Sequence, residues 1–351
     1  MHFLDGHLFP ENQEKLMITA SPYGPEWIPS DFPEDIAVTM EEQIQKAVDC
    51  YNAGASVLHL HVRELDGKGS KRLSKFNELI AGVRRACPKM LIQVGGSISF
   101  APENDGAAAK WLSDDTRHML AELDPKPEQV TVTVNTVQMN VLEHMDVRDY
   151  AGTSLGEQNY EAYREMIVPA GPGWVEEHVR RLSAARIQSA FQFPALTSLE
   201  TVERMIRRGD YKGPLVGNWV AIGGGMDAPN IYNLANFLRA WPDRGVLTVE
   251  SSMRNVLPVN MMGIAMGLHV RAGIEDNIWT QDRKYKLATI PQIEQLVRIA
   301  REMGREIATG DDARRICRVG EFYDTVEQTL EANGYSPNPR NGQQGYLRKV
   351  A

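Results

Sequence analysis

Eight short runs rich in apolar and β-branched residues recur along the chain, and each is followed by a longer amphipathic stretch. They fall at 15–21, 56–62, 90–96, 129–135, 187–193, 215–221, 245–252 and 268–274. A helix between two strands carries the chain back to the end where the first strand began, so the alternation forces parallel strands. Parallel sheets are covered on both faces, and eight such units are what a closed barrel needs. The fold predicted is therefore α/β, a (β/α)8 TIM barrel. A doubly wound open sheet is the rival, but the first strand-to-helix turn, SPYGPEWIPSDFPED, carries no G-x-G-x-x-G. No composition break marks a linker, so residues 1–351 read as a single (β/α)8 barrel domain. Thr39 with Glu42, Thr197 with Glu200 and Thr289 with Gln292 have capping-box spacing and predict helix starts.

Composition narrows the function. Hydrophobic content of 42% against 24% charged residues is that of a soluble globular protein. A net charge of −8 argues against nucleic acid or an anionic membrane as the main partner, while leaving room for a local basic pocket. Cys50, Cys87 and Cys317 are far apart and form no C-x-x-C, so they read as free packing thiols in a reducing compartment. The stretch MHFLDGHLFPENQEKL lacks a basic region followed by an apolar run, and no segment approaches the roughly 18 uncharged apolar residues of a membrane span. The expected location is cytoplasmic.

Two segments exceed the usual loop length, 97–113 and 136–172. Both follow strands, so in a barrel both lie on the C-terminal face, where sites are built. The aromatic and apolar residues of 136–172 favour an ordered lid. From about residue 333 the chain is rich in Pro, Gly and Asn and reads as an extended arm or disordered end.

The second run, SVLHLHV, raises the chemical question. Residues i and i+2 of a strand share a face, so His59, His61 and Arg63 point one way and Leu58, Leu60 and Val62 the other. Imidazoles buried at the C-terminal end of a barrel strand are costly unless paired or metallated, and H-x-H at a strand end is a common Zn²⁺ donor pair. Two core histidines satisfied by polar neighbours remain the other reading. HVRAGIEDN, 269–277, offers a third ligand, since period two sets His269, Arg271, Gly273 and Glu275 on one face with Asp276 just beyond. Alone these charges read equally as a solvated ion-pair cluster; beside H-x-H they favour a metal centre. His269, deeper in the strand, reads as core. The glycines of IGGGM, 222–226, free backbone N–H groups for an anion or simply make a tight turn.

These stretches resemble the β-keto acid cleavage enzymes over residues 17 to 316 or so. AGASVLHLHVRELDGKGS, GLHVRAGIEDNIW and QLVRIAREMGREIATGDDARRI carry the resemblance. It implies a zinc-dependent (β/α)8 barrel, homotetrameric, that converts a β-keto acid and acetyl-CoA into acetoacetate and a new acyl-CoA. It further implies that His59, His61 and Glu275 hold Zn²⁺ and that Arg271 and Asp276 form the deprotonating dyad. Glu26 matches an acid contacting the substrate's distal end, Thr131 a fourth-strand threonine, and Arg254 an arginine ending the seventh strand. The chain departs from the family in three places. Gly95 stands where a serine is expected, with Ser97 two residues on; Gln192 replaces a fifth-strand glutamate; and 136–172 is longer than the usual loop.

The implied chemistry suits the residue types. Asp276 takes a proton from the carbon between keto group and carboxylate, Arg271 orients it, and no Cys or Ser nucleophile is needed. An amidohydrolase-type hydrolase is the alternative enzyme, but that type carries H-x-H on the first strand and histidines on middle strands. A non-catalytic zinc-bearing small-molecule sensor is the third reading, and the Arg271–Asp276 pair argues against it. One carboxylate, Glu26, and one amide, Gln192, suit a cationic or hydrogen-bonding tail better than an anionic one. Trp27 and Trp219 read as packing residues, or as an aromatic wall beside that tail.

Overall fold

The computed structural model describes residues 5–24, 26–96, 100–101, 110–111, 117–155 and 163–339. The eight predicted runs form strands β1 (Ile18–Ala20), β2 (Val57–Leu60), β3 (Leu91–Val94), β4 (Gln129–Thr133), β5 (Gln188–Phe193), β6 (Val216–Val220), β7 (Val246–Glu250) and β8 (His269–Ala272). Each pairs in parallel with the next, and β8 returns to β1 through Ile18 opposite Val270 and Thr19 opposite Arg271. This closure makes the fold a (β/α)8 barrel and excludes the open sheet.

The surrounding helices are α1 (Met40–Ala53), α2 (Leu73–Ala86), α3 (Pro172–Ala184), α4 (Leu196–Arg208), α5 (Ile231–Ala240), α6 (Val256–Ala265) and α7 (Thr289–Glu302), with α8 (Gly310–Ile316) and α9 (Val326–Asn333) after them. Between β3 and β4 the described residues Arg117 and His118 are α-helical and run into a 3₁₀ turn, Met119–Glu122. The Thr39–Glu42 capping box forms, the hydroxyl accepting from Glu42 N at 3.2 Å and the carboxylate from Thr39 N at 2.9 Å. The other two boxes do not. Thr197 lies inside the first turn of α4, which Ala195 precedes as cap. Thr289 is itself the first residue of α7, and its buried hydroxyl bonds Asp35 Oδ2 at 2.9 Å, so a tertiary contact takes the group that would have capped. No helix among the described residues is long and apolar enough to cross a membrane. All three cysteines are buried and free.

The core lies between sheet and helices, where Leu58, Leu60, Ile92, Val94, Val130, Val132, Phe191 and Phe193 point outward into one apolar cluster. The barrel interior is polar by comparison. The register lines up His59, Gln93, Gln129 and Gln188 on neighbouring strands, so one inward layer carries amides and an imidazole.

The opposite, N-terminal end of the barrel is tied by an ion-pair knot. Glu128, which precedes β4, accepts from Arg84 Nη1 at 3.0 Å, from Arg314 Nη2 at 2.8 Å and from Ile92 N at 3.0 Å. Burial pushes its carboxyl up, but the Arg84 bonds, the Ile92 N–H and Arg314 outweigh burial and hold it below the ordinary glutamate value. A carboxyl depressed by folding stabilises above its unfolded pKa of about 4.3, and that contribution is lost as pH falls through the folded value. Glu128→Gln is expected to cost about 2 kcal/mol at pH 7. It should also make stability fall less steeply than in the wild type below about pH 4.3, as measured by urea unfolding at stepped pH. Parallel acid profiles for the two proteins would contradict this account.

Candidate active site

At the C-terminal mouth, β2 and the residue after its end bring His59 and His61 together, and the turn after β8 brings Glu275 to them. The two Nε2 atoms stand 3.1 Å apart, and Glu275 Oε1 lies 3.4 Å from His59 Nε2 and 3.6 Å from His61 Nε2. Ligands held about 2.0–2.1 Å from a tetrahedral cation stand roughly 3.3 Å from one another. The triangle therefore has the size, and its imidazole and carboxylate donors the chemistry, for a divalent cation. Glu275 Oε1 is the oxygen that faces the imidazoles, while Oε2 is buried without a hydrogen-bond partner.

The His59 ring is set by a relay of three glutamines. Its Nδ1 lies 2.9 Å from Gln93 Oε1; Gln93 Nε2 donates to Gln129 Oε1 at 2.9 Å, Gln129 Nε2 to Gln188 Oε1 at 2.8 Å, and Gln188 Nε2 to the Cys317 carbonyl at 2.8 Å. The last acceptor is a carbonyl, which can only accept, so each amide must present its NH₂ toward Cys317 and its oxygen toward His59. His59 Nδ1 is then the protonated nitrogen, and Nε2 faces Glu275 and His61 as a lone pair.

Gly95 makes room for this geometry. A Cβ there would stand 2.0 Å from His61 Cε1 and 2.9 Å from His59 Nε2, so the imidazoles as placed leave no room for the serine expected from the resemblance. Gly95→Ala is expected to weaken metal binding by at least about tenfold, the cost of a disturbed ligand orientation. Competition against a chromogenic chelator measures it; unchanged affinity would show that His61 tolerates the methyl.

The strand β8 ends at Ala272, earlier than period two required to place Glu275. Gly273, at φ +155°, turns the chain where a Cβ would meet the Ser21 carbonyl oxygen at 2.3 Å. Glu275 N then donates to Ser21 O at 3.1 Å and Asp276 N to Gly273 O at 3.1 Å, so the turn delivers both acids to the mouth. Arg271 forks onto Asp276, Nε to Oδ2 at 2.9 Å and Nη2 to Oδ1 at 2.8 Å, and Nη2 also reaches Glu275 Oε1 at 2.5 Å. Ser21 Oγ donates to Asp276 Oδ2 at 2.9 Å. Burial pushes the Asp276 carboxyl up to about 7, with Arg271 pulling the other way. Burial likewise raises Glu275, but Arg271 and the two imidazoles outweigh it and hold Glu275 well below the usual range.

Sequence reasoning missed Glu250, which ends β7, stands 3.4 Å from Arg271 Nη1 and accepts from Asn218 Nδ2 at 2.9 Å. It also missed Ser21 and the glutamine relay. The signal for Glu250 was available, since a carboxylate at the end of a barrel strand shares the inward face with Thr248. Met253, at φ +55°, follows it, and its N–H binds the Asp276 carbonyl at 2.6 Å, tying the ends of β7 and β8 together.

A cavity of about 140 Å³ opens onto these groups, and Glu26, Thr131 and Gln192 line it with His59, Arg271, Glu275 and Asp276. Thr131 Oγ1 accepts from Gly96 N at 2.6 Å. Glu26 lies beside Glu275, for a Cβ on Gly24 would meet Glu275 Cγ at 2.2 Å and Glu26 Oε2 at 2.6 Å. Burial raises the Glu26 carboxyl to about 8, with the charge of Glu275 adding to it. Arg254 sits in the 3₁₀ turn after β7 (Met253–Asn255), outside the lining, with its Nε buried and unpartnered. Ser97 lies outside the described residues. Trp27 packs with Phe32, Ile36 and Leu142, and the Trp219 indole donates to Asp227 Oδ2 at 2.9 Å; neither lines the cavity.

The described parts of 136–172 lie over the mouth. Val137–Gln138 pairs with Ile167–Val168, and Met139, Val141, Leu155 and Val168 line the cavity. The segment is anchored on the β8 side by Arg283, 2.5 Å from Asp146 Oδ2 and 2.7 Å from Asp149 Oδ1, and near β1 by Ser154 Oγ on Asp31 at 2.5 Å. Among IGGGM, Gly224 O accepts from Asn140 N at 3.0 Å, and a Cβ on Gly225 would stand 2.5 Å from Gln138 O. The glycines make the tight turn on which the lid rests.

A closed (β/α)8 barrel whose C-terminal mouth gathers two imidazoles, a carboxylate and a buried Arg–Asp pair has the frame of a barrel enzyme. The sequence model of the family described as beta-keto acid cleavage enzyme matches residues 15–319, and the chain belongs to that family. The chain is 27% identical over 309 residues to a 3-keto-5-aminohexanoate cleavage enzyme of Acetoanaerobium sticklandii, covering 88% of this chain and 100% of the relative. Its identity to the enzyme of that name from Fusobacterium nucleatum is 28%, over 86% of this chain and 97% of the relative. A 3,5-dioxohexanoate:acetyl-CoA acetone transferase of Paraburkholderia graminis is 22% identical, over 88% of this chain and 96% of the relative.

Proposed function

We propose that this β-keto acid cleavage enzyme condenses its substrate with acetyl-CoA and cleaves the adduct by a retro-Claisen step, giving acetoacetate and a new acyl-CoA. The observation that carries the reading is the His59–His61–Glu275 triangle opening onto the same cavity as the Arg271–Asp276 pair. His59, His61 and Glu275 would hold Zn²⁺, which when bound supplies Lewis acidity toward the keto group. Acetyl-CoA as co-substrate is supported by the name of the Paraburkholderia relative, an acetyl-CoA acetone transferase.

Asp276 accepts a proton from the carbon between the keto group and the carboxylate. Ser21 and the Arg271 fork fix its oxygens for that transfer, and the guanidinium offsets charge developing beside it. The resulting carbanion attacks the acetyl carbonyl and expels CoA thiolate. The thiolate attacks the original keto carbon, the bond from that carbon to the former nucleophile breaks, and Asp276 returns its proton to the acetoacetate carbanion. Atoms balance with no water consumed. The lid suits such a sequence, because bulk solvent would quench both carbanions if it reached them. The homotetramer implied by the resemblance belongs to the same proposal, and light scattering tests it.

The deciding experiment incubates the purified, metal-loaded protein with acetyl-CoA and a panel of β-keto acids. Acetoacetate and the matching acyl-CoA should accumulate one for one by mass spectrometry. Free CoA with no new acyl-CoA would mean thioester hydrolysis and would remove the proposed reaction.

A further inference from the structure

We propose that the substrate is a β-keto acid with a short apolar tail, selected by a wall that the lid and the triglycine turn build opposite the candidate metal centre. This rests on the reaction proposed above and names its substrate class. In the barrel order β2 and β8 flank β1, so the candidate ligands and the Arg271–Asp276 pair occupy one arc of the mouth. Met139, Val141, Leu155 and Val168 follow β4, while Ile222 and Met226 follow β6, and all six line the cavity from the facing arc. A substrate whose keto-acid end lies at the ligands points its tail toward that wall.

The wall is made of aliphatic carbon and thioether sulfur. An ammonium or carboxylate placed against it would lose its hydration without gaining a partner of opposite charge. Glu26 and Glu250, which also line the cavity, do not supply that partner: Glu26 sits on the ligand arc, crowding the same point as Glu275, and Glu250 is already held by Arg271 Nη1 at 3.4 Å and Asn218 Nδ2 at 2.9 Å. Gln192, at the end of β5, adds a buried and unpartnered Nε2, a neutral donor where the resemblance leads one to expect a carboxylate. This moves the expected tail from cationic or hydrogen-bonding to apolar, while keeping the rejection of a dicarboxylate. Size restricts the tail as well. About 140 Å³ is below the roughly 300–1,000 Å³ of pockets that take drug-sized ligands.

The test compares 3-oxopentanoate, 3-oxohexanoate, 3-keto-5-aminohexanoate and 3-oxoadipate with acetyl-CoA, reading kcat/KM from acetoacetate formed. Calorimetry on the metal-loaded protein without acetyl-CoA gives each acid's dissociation constant. The propyl-tailed 3-oxohexanoate should exceed its amino and carboxylate counterparts by at least about tenfold in kcat/KM. It should exceed 3-oxopentanoate by about fourfold, the effect of one more buried methylene. Ile222→Glu should erase or reverse the preference for propyl over amino tails. Met226→Ala, a change less able to disturb folding, should shift the optimum toward 3-oxooctanoate. Acetoacetate formed fastest from the amino or dicarboxylate acid would overturn the apolar tail and leave the reaction standing. No acetoacetate from any acid, with calorimetry still favouring the alkyl acids, would overturn the reaction and leave the wall's preference standing. Equal dissociation constants across the panel would overturn the wall.

Discussion

Asp276→Asn is expected to lower kcat by about 10²–10⁴-fold while leaving metal content near one per chain. The amide has the shape of the carboxylate but cannot accept the substrate proton. Its oxygen can still take one Arg271 contact, but in either orientation its NH₂ faces an Arg271 N–H, and at the Oδ2 position it faces the donating Ser21 hydroxyl as well. Some loss of stability follows. It is limited because Arg271 keeps Glu275 at 2.5 Å and Glu250 at 3.4 Å as counter-charges. The discriminating measurement is kcat at saturating β-keto acid and acetyl-CoA, beside metal content and thermal midpoint on the same preparation. Should kcat stay within a few-fold of wild type, the base must be sought elsewhere, with Glu26 and Glu250 the other carboxylates lining the cavity besides Glu275.

The barrel was readable because its signal is repetitive. Eight apolar runs with helices between them constrain one another, and a misjudged boundary at one does not alter the count. Individual helix caps were less readable, since Thr289 has the same spacing to its glutamine whether its hydroxyl caps a helix or binds Asp35 across the fold. The site divided along the same line. His59 and His61 follow from parity on a strand, and Arg271 likewise. Glu275 and Asp276 reach the mouth through a glycine turn that period two does not describe, although the prediction named both residues. Gln93, Gln129 and Gln188 were invisible as a relay, because single inward glutamines in three separate runs become a chain only when the register aligns them. The distal wall was out of reach for a similar reason. Met139, Val168 and Ile222 belong to segments far apart in sequence, and only the folded lid sets them around one cavity.

His61→Ala is the second large effect expected, a loss of more than about 100-fold in metal affinity together with loss of turnover. Disturbing an outer-shell partner alone costs about 10–100-fold, so removing a ligand should exceed that range. The variant also separates the two readings that H-x-H left open. If the imidazoles were core residues satisfied by polar neighbours, truncating His61 would leave a cavity and lower the unfolding midpoint, but it would not change metal content. If they are ligands, metal content falls, and adding Zn²⁺ no longer raises the unfolding midpoint as it should in the wild type. Gln93→Leu provides the graded comparison. It keeps all three donors but removes the acceptor that holds the proton on His59 Nδ1, so its metal affinity should fall between wild type and His61→Ala. Gln93→Glu, which retains an acceptor at that position, should recover most of the loss, whereas a merely structural role for the amide would not distinguish the two substitutions. Elemental analysis with chelator competition on the four proteins gives the order directly. His61→Ala at wild-type metal content, whatever its stability, would remove the metal centre from this account.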